Sequence, residues 1–531
     1  MIRTNPMNRL CLALTLCAAV FAAACGGGGS TPAPPPPTGN FSNASLKGQY
    51  AFSMNGSDAI TSSFFARVGS FTADGSGNII TGIEDVNTAL NGPQTLAFTP
   101  STYSVQADGR GTLNLINATG TLTFSITMLS PTQGLIVETD LNSTASGTFV
   151  LQNPNNFSVA GISGNYVFDF SGIDPAAAPD SIVGQFVSTG SGSLSSGVLD
   201  ENDNAALSAA SPITGGSYQM DGTNGPTSGR GTITFTAHGF TFNYIFYIVN
   251  GTRVRMMETG TAGTVGLTVG DAIAQSSVPA TNTNFNGNFA YLLSGVGSRS
   301  QLTRVGRFTA DGNGGLGSIF ADTNDGGTAA QVPSGSLSAM TYAIDTNFPG
   351  SGRGTLTFTD SKLGTFSYVI YLSSSSGGVM QDVSKNTVGD GTLQLQVGAP
   401  FSNSSLAGNY GFNFAGLGNN TTNGVLGEED YVGQIALTSA ASNNVSGAVD
   451  FSAFNSNQGV FTNVVISGTG LTVGGDGTTS SGSRNTLSLK LAGNPSTTLN
   501  FAAYVVNSQT IYVAGTDSGR VISGTVTLQA P

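Results

Sequence analysis

Gly352-Arg353-Gly354-Thr355-Leu356-Thr357-Phe358 reads as a turn followed by a strand. Glycine bends the chain, and Leu356 and Phe358 then alternate with threonines on a period of two. The stretch recurs as GRGTLNL at 109–115, as GRGTITF at 229–235 and, without its glycines, as SRNTLSL at 483–489. Arg110, Arg230, Arg353 and Arg484 thus follow one another at intervals of 120, 123 and 131 residues. An interval of that length is the size of a domain, so the chain reads as four copies of one unit.

Composition agrees. The 531 residues include 75 Gly and only 9% charged residues, but also 31 Phe and 14 Tyr in regular alternation with polar residues. Disordered chains are poor in aromatics and rich in charge, so this is a turn-rich β protein. The net charge of −12 and four scattered lysines disfavour a nucleic-acid partner, which would need a basic stripe. Cys11, Cys17 and Cys25 all precede the repeats, so the units have no disulfide framework and no cysteine nucleophile. His238 is the single histidine, which rules out a histidine-dependent triad in three of the four units.

Residues 1–24 carry Arg3 and Arg9 before an apolar run from Leu10 to Ala24, the pattern of a signal peptide. The junction Phe21-Ala22-Ala23-Ala24-Cys25 resembles the lipobox of bacterial lipoproteins. That resemblance implies acylation of Cys25, a membrane anchor and, with Gly26 after the cysteine, an outer-membrane or cell-surface address. Ordinary cleavage after Ala24 would instead give a secreted protein. Residues 25–40 continue as a glycine run and a proline run, a flexible and then stiff tether that would hold domains away from a surface.

The units are expected at 41–153, 154–278, 279–398 and 399–531. Each opens with Gly-x-aromatic, at Tyr50, Tyr166, Phe289 and Tyr410, and closes on a strand ending in Gln152, Gln275, Gln396 or Gln529. Alternation in the first unit predicts eight strands, near 48–54, 64–73, 78–86, 94–106, 111–116, 121–129, 134–139 and 146–152. Eight antiparallel strands in a meander can close on themselves and remove both edges. The fold class is therefore all-β, four tandem antiparallel meander domains of about eight strands each. Gly-x-aromatic on the first strand of such a meander is similar to the calycin barrels of lipocalins and avidins, which implies closed barrels able to hold ligands inside. A β-sandwich stays open as the alternative. A membrane-spanning barrel is disfavoured, because the chain ends in Leu-Gln-Ala-Pro without an aromatic strand.

Four groups of residues are candidates for chemistry. The Asp-Gly loops at Asp74 and Asp311, with Asp322 and Asp325, are the calcium candidates, although Asp-Gly between strands is first of all a turn former. Acidic clusters stand at Glu84-Asp85, at 200–203, at 322–325 and at 428–430, and are expected on solvated loop ends. Arg110, Arg230, Arg353 and Arg484 begin a strand in each unit, while Asp85, Asp200, Asp322 and Asp450 recur on an earlier one. If those two strands lie near each other across the strand between them, an arginine–aspartate clamp forms at the mouth of each barrel. His238 is expected on an exposed turn. No catalytic residue is assigned and no cofactor is expected beyond calcium.

These features favour a non-enzymatic, surface-anchored protein with an adhesive, matrix or envelope-structural role. Its partners would be the membrane, through the lipid anchor, and an extracellular protein or glycan. A binding protein for small apolar ligands inside the barrels is the second reading, and a glycan-active or glycan-binding protein the third.

Overall fold

A computed structural model describes residues 39–58, 63–260, 266–276, 281–419, 426–438, 444–454, 459–473, 484–493 and 497–531. The leader, Cys25 and most of the tether lie outside the described residues.

In the first unit the strands are β1 (Lys47–Asp58), β2 (Phe64–Asp74), β3 (Asn78–Thr88), β4 (Gly92–Val105), β5 (Arg110–Asn117), β6 (Gly120–Ser130), β7 (Gln133–Glu138) and β8 (Ser143–Leu151). Each pairs antiparallel with its neighbours, and β1 pairs with both β2 and β8, so the sheet closes into a barrel. The second and fourth units close in the same way. The sandwich alternative is thereby set aside.

The third unit differs from the eight strands expected. Its fourth strand is broken into Thr328–Val332 and Leu337–Ile344, giving a nine-stranded sheet whose ends are the two halves. Pro333 stands at the break and has no amide proton for a ladder. The next two amides, Ser334 and Gly335, donate to the Asp360 carboxylate at 2.6 and 2.9 Å.

Alternation decides what lies inside. Tyr50, Phe52 and Met54 of β1 meet Phe124, Ile126 and Met128 of β6 in one buried cluster. Corresponding side chains fill the other three interiors. Burying one such side chain stabilises by about 1.5–3 kcal/mol, so the interiors carry most of the folding energy. One end is plugged by the turn before the first strand: the Tyr103 hydroxyl donates to the Asn43 and Leu46 carbonyls at 3.0 and 2.8 Å, and Tyr218 and Tyr342 repeat this. Apart from the buried group of Arg67, Glu84 and Glu138, the interior of the first barrel is apolar, the reverse of a water-filled membrane barrel.

Outward faces are of two kinds. On β4 and β5 the outward residues Thr102, Ser104 and Thr112 are exposed. On the first three and last three strands many of them are buried, because they meet another barrel. Ala51, Ala66, Val68 and Ile83 of the first unit cluster with Ile245, Tyr247, Val249 and Met257 of the second. Second and third units meet through Val167, Val183 and Val198 against Val369, Tyr371 and Val379. Third and fourth meet through Ala290 and Val305 against Ala502, Tyr504 and Val506. The fourth then returns to the first, Val432 packing on Leu129, Leu135 and Val137. The four barrels form a closed ring. In each contact the face of strands one to three of one barrel covers the face of strands six to eight of the next, a head-to-tail interface that closes after four steps.

Candidate functional site: the clamps between barrels and the axial cavity

Every recurrent arginine lies at one of these interfaces. Arg230 of the second barrel reaches Asp85 of the first, Nε to Oδ2 at 2.8 Å and the second guanidinium nitrogen to Oδ1 at 2.9 Å. Arg353 of the third holds Asp200 of the second at 2.8 and 2.7 Å. Arg484 of the fourth holds Asp322 of the third, its Nε lying 2.9 and 2.8 Å from the two carboxylate oxygens. The planar guanidinium fits a carboxylate fork, and all three pairs are largely shut off from water. Burial alone would lower the Arg230 and Arg353 pKa values, but the facing carboxylates raise them, so both stay charged.

The clamp thus joins different barrels and does not close the mouth of one. The strand bearing the arginine and that bearing the aspartate do flank β4, as expected, but Asp85 points away from its own interior. On β3, Glu84 turns inward to Arg67 at 3.2 Å while Asp85 turns outward. The same alternation corrects the expectation of solvated acids: Glu84, Asp85, Asp200, Glu429 and Asp430 are all buried, each on a strand.

A tyrosine completes each of these three clamps. The hydroxyls of Tyr247, Tyr371 and Tyr504 donate to Asp85, Asp200 and Asp322 at 2.6, 2.6 and 2.9 Å. Two residues beyond each aspartate, an asparagine amide donates to backbone carbonyls of the next barrel: Asn87 to Glu258, Asn202 to Asp382 and Thr387, Asn324 to Gly515 and Arg520.

The closing glutamines are latches. Gln152 Nε2 donates to the Ser228 and Ile248 carbonyls at 2.9 and 2.6 Å, and Gln275 to Ser351 and Leu372 at 2.8 and 2.7 Å. Gln396 donates to Val505 at 2.6 Å. Gln529, at the end of the fourth barrel, donates to Asp108 and Met128 of the first, both at 2.8 Å. The glycines before Arg110 and Arg353 have their reason here. Gly109 and Gly352 have φ of +88° and +72°, and a Cβ on either would lie 2.7 and 3.0 Å from the latching Gln529 and Gln275 nitrogens.

The fourth-to-first interface departs from this pattern. Arg110 spends its Nε on Asp108 of its own barrel at 2.8 Å and donates across the interface to Asn463 at 2.9 Å, with Asp450 only at 3.9 Å. Thr127 stands in the register of Tyr247 and Tyr371, and Ser452 two places beyond Asp450 replaces the asparagine. The hydroxyls of Thr127 and Ser452 are buried without a partner. Burial raises the Asp450 pKa, and the Asn463 amide and Arg110 only partly offset it.

The calcium candidates are engaged otherwise. Asp74 Oδ1 accepts from the Ser76 and Asn78 amides at 2.6 and 3.0 Å, and Asp311 Oδ1 from Asn313 and Gly315 at 2.7 and 2.9 Å. The Asn78 side chain, donating to Asp74 Oδ2 at 2.7 Å, and then these amides hold Asp74 below the usual range, and the amides alone do so for Asp311. Asp325 accepts from Ser298 Oγ and the Arg299 amide, and Asp322 is in a clamp. Among the described residues no three acidic, histidine or cysteine side chains converge well enough to hold a metal ion. His238 is on a turn, but it is not an exposed residue: its ring lies against Phe240 and Phe242, and Nε2 is 2.7 Å from a Glu201 oxygen.

Where the four barrels meet, the structure has a cavity of about 590 Å³. Its wall is built mainly from the first and last strands of the barrels, with Asn55, Asp169, Asp390 and Asn413, and from second strands, with Glu428. Burial, then Asp390 and Asp271, raise the Asp169 pKa well above its usual value, and burial pushes Asp390 up to about 7. Glu428 is raised well above the carboxylate range by burial and then by Asp430, which burial itself lifts to about 7.

The tyrosines, asparagines and latches were not singled out from sequence, though signals exist. Asp-x-Asn recurs at 85–87, 200–202 and 322–324, and the run from Tyr244 to Val249 is apolar at every position. An unbroken apolar strand is buried on both faces.

No family model matches the chain, and no curated protein matches it in sequence. Among solved structures it is similar to transferrin binding protein B of Haemophilus parasuis Hp5, at 9% identity, TM-score 0.19, over 74% of this chain and 82% of that one. Isotype 1 of the same protein from serogroup B Neisseria meningitidis gives 10% identity and TM-score 0.19, over 74% and 82%.

Proposed function

We propose that this is a non-enzymatic, exported protein, anchored by a lipid on Cys25 at the outer membrane or cell surface, whose ring of barrels is a rigid module for adhesion, matrix contact or envelope structure. One observation carries the reading: the repeated arginines, aspartates and glutamines are consumed in holding barrel to barrel, which leaves them no substrate to act on. The signal peptide, the acylated cysteine and the Gly/Pro tether supply the export and the stand-off from the membrane. The second reading, apolar ligands inside barrels, finds little support in interiors filled by Phe, Tyr and Leu; the gap among Leu406, Leu437 and Leu471 of the fourth barrel is about 10 Å³. Calcium at Asp74 or Asp311 would have to displace the backbone amides those carboxylates already accept.

The test presents the full-length protein in vesicles to arrays of glycans and matrix proteins. Selective retention without chemical change of the retained molecule supports the reading, and turnover of any arrayed glycan overturns its non-enzymatic part. Mass spectrometry of the membrane-extracted protein addresses the anchor separately, since a mature N-terminus lacking an acylated Cys25 would remove it.

A further inference from the structure

The axial cavity is large for an ion and within the range of small-molecule sites, roughly 300–1,000 Å³. Among its described lining residues there is no lysine, arginine or histidine. Three acids line it, Asp169 and Asp390 at one seam of the ring and Glu428 at the opposite one, with the fully buried Asp430 beside Glu428 but outside the lining. Asp169 of the second barrel neighbours Asp390 of the third. Across the cavity, at the seam of the fourth and first, Glu428 accepts from Ser57 and faces Asp430. Asp430 Oδ2 accepts from Thr144 at 2.7 Å, but Oδ1 is fully buried with no donor. Two carboxyl groups facing each other without a donor between them must share a proton or take up a cation. Between the pairs the wall offers amides, hydroxyls and the side chains of Leu292 and Leu417.

The surrounding charges offset these acids only in part. Arg253 and Arg255 are held by Asp271 at 2.8 and 3.2 Å, although Arg253 also lowers the Asp169 pKa. Arg520 is held by Glu429 at 2.8 Å, and Arg67 by Glu84 and Glu138. Arg520 and Arg67 therefore have carboxylates of their own, whereas Arg253 and Arg255 share Asp271 and leave one positive charge beside Asp169. The absence of three convergent ligands among the described residues argues for an organic cation over a bare metal ion.

We propose that the axial cavity binds a small organic dication, a diamine or oligoamine, with one ammonium group at the Asp169–Asp390 pair, one at the Glu428–Asp430 pair, and its methylenes against Leu292 and Leu417. Binding replaces a shared proton at each pair, so it releases protons near neutral pH. This site goes beyond the surface role proposed above and neither depends on it nor supports it.

Calorimetry of the full chain with 1,4-diaminobutane tests the assignment, with 1,4-butanediol as the uncharged isostere and magnesium chloride as the inorganic competitor. Saturable diamine binding at pH 7.5, with an enthalpy that varies with buffer ionisation and no response to the diol, is expected. Asp390→Asn and Glu428→Gln should each weaken it at least tenfold, and Ala415→Phe, which fills the cavity from an uncharged wall position, should abolish it. Unliganded melting at or above that of the parent shows these variants fold. Equal binding of the diol, indifference to all three substitutions, displacement by millimolar magnesium, or no binding at millimolar diamine would each overturn the proposal.

Discussion

Three interfaces of the ring were built to one plan and the fourth was not. Between consecutive barrels an arginine fork, a tyrosine hydroxyl and an asparagine amide converge on one buried aspartate and its strand. Where the last barrel meets the first, the fork turns back to Asp108, the tyrosine is Thr127, and the asparagine is Ser452. The glutamine latch alone is retained at full strength. Consecutive barrels are joined by the chain and cannot drift apart, whereas the closing contact must form over the longest separation in sequence. The seam with the greatest entropic cost of closure is the one without the arginine–aspartate–tyrosine clamp, so the ring should open there first.

Removing a clamp aspartate has the largest expected effect on that contrast. Asp85→Ala leaves the Tyr247 hydroxyl buried without its partner and Arg230 with Asp221 alone, and should cost about 2–3 kcal/mol in denaturant unfolding, whereas Asp450→Ala should cost less than about 1. Equal losses would erase the distinction. The latch comes next: Gln529→Ala removes two buried hydrogen bonds and should cost about 2 kcal/mol. Because no arginine–aspartate clamp backs this latch, hydrogen exchange at the Ala530 amide, which donates to Leu129, should accelerate more than at the Ser276 amide after Gln275→Ala.

pH gives the third. The Asp430 carboxyl, raised to about 7 by burial, favours the fold while protonated. Its contribution is complete below the unfolded value of about 4 and is lost as pH rises through about 7, with a slope of up to about 1.4 kcal/mol per pH unit. Asp450, also raised, acts in the same direction. Raising pH from 5 to 8 should therefore loosen the closing seam before the first-to-second and third-to-fourth seams, as read by exchange corrected for its intrinsic pH dependence. Simultaneous loosening of all seams would contradict this. The smallest effect is a repair: Thr127→Tyr with Ser452→Asn should stabilise by about 1 kcal/mol if the two buried hydroxyls are the defect.

Much of this fold was legible because strands announce themselves by alternation. Leu122, Phe124, Ile126 and Met128 were expected on one face of a sixth strand, and the last three are fully buried in the interior. Turn chemistry was equally readable at Asp74-Gly75. Two things were not. The break in the third unit depends on Pro333 falling where a ladder amide was needed, which requires knowing the register of a neighbouring strand. The ring depends on outward faces, and alternation reports only which residues share a face, not whether that face meets water. Tyr247 and Asp85 are 162 residues apart, so no local pattern could place them in contact. The repetition of arginine, aspartate and glutamine in every unit marked the right residues, but their partners became visible only when one barrel was set against the next.

Head-to-tail contact has a consequence for fragments of this chain. A ring of four leaves neither of the two complementary faces free. A protein cut to three barrels would carry one of each, apolar and ready to mate, on opposite ends of the same molecule. Nothing in the geometry of such a piece obliges the mating to be internal. Truncated forms would be monomers for a growing polymer, whereas closure of the fourth seam leaves neither face open to a second copy.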